Sequence, residues 1–108
     1  RMKAYRVQDA AACRLDEIYR YTRDRWGDAQ AQAYIRGLFD TFERIARGEV
    51  GSRPIPAEFG VHGFWRRYER HIVYWKPLAN GDVGIVTVLH ESMHQGDRFK
   101  DDASPDAA

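Results

Sequence analysis

Two helical stripes standing back to back constrain this chain more than any other feature. Ala11, Leu15, Ile18, Thr22 and Trp26 recur at the spacing of one helix face, and Ala31, Ile35, Leu38, Phe42 and Ile45 repeat the pattern. Asp16, Glu17, Arg20, Arg23 and Asp24 fall opposite the first stripe, with Arg14 on its flank. Only Gly27 and Asp28 separate the two segments. Gly27 reads as a left-handed helix stop and Asp28 as the next N-cap, the role Asp9 takes for the first helix. So short a link forces the two helices to lie antiparallel as neighbours, the second running from about Ala29 to Arg47 before Gly48 stops it. Their apolar faces need a flat apolar surface to cover.

The rest of the chain supplies it. Lys3–Val7 reads as a short opening strand, and the aperiodic stretch 48–60, with Gly51, Pro54, Pro56 and Gly60, as a loop. Phe64–Tyr68 and His71–Trp75 read as strands around a turn at Glu69-Arg70. Asn80-Gly81 signals a type I′ hairpin into Val83–Leu89, the most β-branched run, with Gly84 a candidate bulge. Glu91–Phe99 adds a short final helix, which Gln95-Gly96 is expected to interrupt. The fold class is therefore α+β, a two-layer sandwich in which an N-terminal strand and a helix hairpin pack on a small antiparallel sheet, in the order β-α-α-β-β-β. Residues 1–100 form a single domain and 101–108 a flexible acidic tail. With one helical layer, the other sheet face or its edge is left for a partner.

Composition narrows the function classes. The 108 residues are 44% hydrophobic and carry a net charge of +1, too mild for a protein that grips nucleic acid chiefly through phosphates. No apolar run approaches the roughly 20 residues that cross a bilayer, and no secretory pattern opens the chain. Arg1 stands ahead of Met2, which reads as the natural initiator. A lone Cys13, read as a small packing residue, points to a reducing, cytoplasmic setting.

Several segments carry a family signature. Leu15-Asp16-Glu17-Ile18-Tyr19-Arg20-Tyr21 with Arg25-Trp26-Gly27, then Ala33-Tyr34, Arg66-Arg67, His71-Ile72-Val73-Tyr74 and Val88-Leu89-His90-Glu91-Ser92-Met93 follow one another in order over roughly residues 4–99. Together they resemble ParE-type toxins of type II toxin–antitoxin modules, within the RelE/ParE superfamily. The last resembles the terminal V/I-L-H-x-x-M pattern, although His94 stands where Asp or Asn is commoner. The resemblance implies a cytoplasmic, growth-arresting toxin of the plasmid-stabilisation type. It implies neutralisation by a ParD-like ribbon-helix-helix antitoxin and a non-catalytic action on DNA gyrase, with DNA contacted only through those partners. No cofactor, metal or membrane is implied.

Two enzymatic alternatives compete. His90-Glu91-Ser92-Met93-His94 matches the H-E-x-x-H zinc motif, but the first His ends a β-run and no third ligand follows in place. A RelE-like ribosome-dependent mRNA interferase needs a base, an acid and cations around the phosphate, for which His90 or His94 with Arg67 and Arg98 are candidates. The low charge opposes that reading, as does Phe99, which stacks but transfers no proton.

No catalytic residue is assigned. Target-facing candidates are Arg67, His90, His94 and Arg98, and cutting the chain after Leu89 is expected to remove toxicity while sparing antitoxin binding. Antitoxin-binding candidates are Tyr19, Tyr34, Trp65, Arg66 and Arg70, with Arg66 and Arg67 on opposite sheet faces. Plain ion pairs with Glu69 or Glu91 are the alternative for these arginines. Trp26, Phe39, Phe42 and Trp75 read as core.

Overall fold

In the computed structural model, residues 3–104 are described. The Met2 initiator reading and the end of the acidic tail lie outside them. Strand β1 (Tyr5–Val7) leads into α1 (Asp9–Trp26) and α2 (Asp28–Ala46), followed by β2 (Arg53–Pro54) and a 3₁₀ turn at Ala57–Phe59. Then come β3 (Phe64–Tyr68), β4 (His71–Pro77), β5 (Val83–His90) and α3 (Gln95–Ala103). The sheet order is β1-β5-β4-β3-β2, with β1 parallel to β5 and every other pair antiparallel. The expected meander is thus the centre of a five-stranded sheet. Strand β2 falls inside the segment that reads as a loop: two residues, one a proline, give no alternation, and an edge position tolerates the missing N–H.

The helix hairpin covers one face. Ala11, Leu15 and Ile18 of α1 and Leu38, Phe42 and Ile45 of α2 close over Val73, Trp75, Val83, Ile85 and Val88. The opposite face is not left open as the sequence suggests. Phe99 of α3 is fully buried there against Ile72, Tyr74, Val86 and Leu89, with Ile55, Phe59 and Val61 beside it. Coverage on both faces explains why Val83–Leu89 of β5 is one unbroken buried run.

Local details depart from expectation for physical reasons. Asp9 and Asp28 are the first helical residues, and Gln8 and Gly27 occupy the caps without side-chain bonds. Gly27 has φ +93 and ψ 168, an extended positive-φ conformation essentially reserved for glycine, not the left-handed helical one. The hairpin before β5 is a three-residue loop closed by Leu78 N–H to Asp82 O at 2.8 Å and Gly81 N–H to Leu78 O at 3.0 Å. Positive φ occurs at Gly81 and not at Asn80, so the turn is not type I′. The bulge lies at Val86, since Trp75 and Tyr74 pair with Ile85 and Thr87, and Gly84 keeps its register.

The final helix starts at Gln95 instead of breaking there. Gln95 Nε2 donates to the carbonyls of His90 and Met93 at 2.8 and 3.1 Å, and its Oε1 accepts from the Tyr74 hydroxyl at 2.7 Å. Asp101–Ala103 continue the helix, so the expected tail is partly folded. Asp102 accepts from Arg14 Nε at 2.9 Å, Arg14 Nη2 at 3.2 Å and Thr87 Oγ1 at 2.7 Å, tying α3 to α1 and β5. Two core assignments are overturned: Cys13 is exposed, and Trp26 is 58% exposed.

Candidate partner-binding groove

Trp26, in the last turn of α1, stands exposed beside the turn that joins β3 to β4. Two depressions that share lining residues lie there. One of about 330 Å³ is lined by Arg14, Glu17, Ile18, Tyr21, Val88 and Met93, among others. The second, about 660 Å³, is walled by Trp26, Ala33, Tyr34, Tyr68 and Arg70. Tyr21, His71 and His90 line both, forming the waist of one groove. Tyr21 is 54% exposed, with the Arg25 guanidinium 5.0 Å from its ring centroid. Exposed aromatics beside a hydrogen-bonding floor are the composition of an interface core.

Packing sets that floor. Tyr34 stands edge-on to both Tyr68 and His71, at centroid distances of 5.3 and 5.4 Å. Its hydroxyl lies 2.6 Å from His71 Nδ1. Burial pushes the Tyr34 pKa up to about 12, so the phenol keeps its proton. A phenol is the stronger proton donor and a neutral imidazole nitrogen the stronger acceptor, so the O–H donates to His71. Burial, helped by neighbouring His90, holds the His71 pKa down at about 4. His71 is thus a neutral acceptor at Nδ1. His90 crosses it edge-on at 5.2 Å, and its Nδ1 accepts from the Ser92 backbone N–H at 3.0 Å, with the Ser92 hydroxyl at 2.7 Å.

The sequence-stated residues divide between places. Tyr34, Arg70 and His90 meet at the groove. Tyr19 bonds instead to Asp28 at the start of α2, Trp65 lies on the α3 face under Arg53, and Arg66 donates to Gly51 O at 3.0 Å. Arg67 also faces the α3 side. It and Arg70 share Glu91, whose carboxyl is held below its ordinary pKa by the Arg67 and Arg70 hydrogen bonds. His94 caps α3 and Arg98 lies in its first turn, both exposed. The H-E-x-x-H run is consequently not helical, with His90 ending a strand and His94 preceding a helix. Among the described residues, no cluster of three or more His, Cys, Asp or Glu is placed to hold a metal. No helix among them is long and apolar enough to cross a membrane.

Residues 5–95 match the family described as the ParE toxin of type II toxin-antitoxin system, parDE. The chain is 35% identical over 100 residues to Toxin ParE of Escherichia coli, covering 93% of this chain and 96% of that protein. To Toxin ParE1 of Caulobacter vibrioides it is 35% identical over 95 residues, covering 86% and 94%. Among solved structures, a chain of the chromosomal ParDE TA system from P. aeruginosa superposes with a TM-score of 0.67 at 15% identity, over 82% of this chain and 96% of that one. That is a likeness of fold. With the family match running through both helices and the whole central sheet, this chain belongs to the ParE toxins of type II toxin–antitoxin systems.

Proposed function

We propose that this toxin arrests growth in the cytoplasm by binding DNA gyrase and trapping cleaved DNA, without catalysing a reaction, and that a ParD-like ribbon-helix-helix antitoxin silences it. The open aromatic groove carries this reading. It holds Tyr21 and Trp26 in water, where a lone domain gains nothing from them and a docked segment gains apolar burial. Arg67, His90, His94 and Arg98 form the proposed target-facing end, and Tyr34 and Arg70 the antitoxin side, with Tyr19, Trp65 and Arg66 as outer contacts. His90 belongs to both, so an antitoxin in the groove occludes part of the surface that meets the target. Contact with DNA is then indirect.

Two observations support occupancy over RNA cleavage. Arg67 is already paired with Glu91, and the Nδ1 of His90 is engaged by Ser92, so neither is free of a protein partner at that atom. The test incubates purified toxin with gyrase, plasmid and ATP, and separately with translating ribosomes. Gyrase-dependent accumulation of cleaved plasmid, suppressed by the antitoxin, supports the proposal. Codon-dependent mRNA cleavage with gyrase unaffected overturns it in favour of a RelE-like interferase.

A further inference from the structure

We propose that His71 and His90 together form a two-donor recognition point for one side-chain carboxylate, an Asp or Glu carried by the antitoxin segment that fills the groove. This rests on the antitoxin reading above and deepens it to a specific contact. The tautomers follow from hydrogen bonding. Ser92 N–H is an obligate donor, so His90 Nδ1 accepts and the ring proton sits on Nε2. Tyr34 O–H donates to His71 Nδ1, which places the second proton on Nε2 as well.

Neither Nε2–H has a protein acceptor among the described residues, and no buried side-chain nitrogen there lacks a partner, so both open to the groove. Every other charged or titratable group facing the waist is otherwise engaged or lies at the rim. On α1, Arg14 is held by Asp102 and Glu17, and Tyr21 forms a wall. On α2 Tyr34 is committed to His71, and at the β3–β4 turn stand Tyr68, Glu69 and an Arg70 that pairs with Glu91 beyond β5.

An apolar segment lying across this waist strips water from both N–H groups and must return an acceptor to each. A carboxylate has two oxygens for two donors, while a backbone carbonyl has one and a lysine or arginine has none. The aromatic walls strengthen such a charge-assisted bond by excluding water.

The experiment is calorimetric titration of full-length toxin with the co-encoded antitoxin, with hydrogen exchange to locate the bound segment. Antitoxin variants replace each Asp by Asn and each Glu by Gln singly, and toxin variants are His71→Asn and His90→Gln. His71→Asn keeps an acceptor for Tyr34 while removing the Nε2 donor. One antitoxin carboxylate should lose about 10-fold on amidation, and its loss should not add to that of the histidine variants. Groove binding from which no antitoxin carboxylate is singled out, or in which its loss adds in full to the histidine losses, overturns the two-donor contact and leaves the groove reading standing. Protection on another face, or no binding, overturns both.

Discussion

Acidification is the perturbation that reads the floor of the groove most cleanly. The pKa of His71 is pushed down from 6.5 to about 4, by burial first and His90 second, with Glu91 opposing. An unfolded chain takes up the proton near 6.5 and the folded chain only near 4, so stability is full above the first value and falls toward the second. For those two values, linkage removes about 2 kcal/mol between about pH 7.5 and about pH 5. The ring is partly open to the groove and screened by water, which brings the expected loss to about 1–2 kcal/mol. Urea unfolding of the native protein and of His71→Asn at both pH values isolates this one group. Asn does not titrate, so the native protein should lose about 1–2 kcal/mol more than the variant on acidification. Equal losses in the two proteins would refute the buried neutral imidazole.

Three further perturbations probe the scaffold and the groove. Asp102→Ala strips Arg14 of a bidentate partner and leaves the buried Thr87 hydroxyl without an acceptor, costing about 2–3 kcal/mol in denaturant unfolding. A loss below about 0.5 kcal/mol would mean α3 is not pinned there. Gly37→Ala, normally a gain on a helix, should instead cost about 1–3 kcal/mol because its Cβ runs into the Tyr68 hydroxyl and the ring carbon that bears it. Tyr68→Leu in the same chain should cancel much of that penalty, a non-additivity that chemical denaturation reads directly. Trp26→Ala should leave stability within about 0.5 kcal/mol yet weaken antitoxin binding by about 2 kcal/mol, read by calorimetry.

The helix hairpin and central strands were legible because single-face periodicity is a local property: Leu15, Ile18, Leu38 and Phe42 lie where their spacing puts them. Trp26 has the same spacing and a different fate, since whether a helix face is covered depends on how far the sheet reaches beneath it. Strand β2 and the covered second face depend on long-range contacts, Arg53 with Trp65 and Phe99 with Tyr74, for which neighbours in sequence give no signal. That packing also revises the expectation for a cut after Leu89: removing Phe99 uncovers the second core cluster, so such a truncation tests folding and not toxicity. Of the groove, Tyr34 and His90 were legible in the family signature, and Arg70 as an antitoxin-binding candidate. His71 stands in that signature with no role attached, because its neutrality comes from Tyr34 and from burial that sequence spacing does not show.

The central claim is that this toxin acts by occupying another macromolecule, and a stoichiometric titration of gyrase tests it most directly. Supercoiling is followed as purified toxin is added at several enzyme concentrations and incubation times. Occupancy predicts inhibition that saturates near one toxin per binding site, does not deepen with time and reverses on adding antitoxin. Inhibition at far below one toxin per enzyme, growing with incubation and persisting after antitoxin is added, would contradict it.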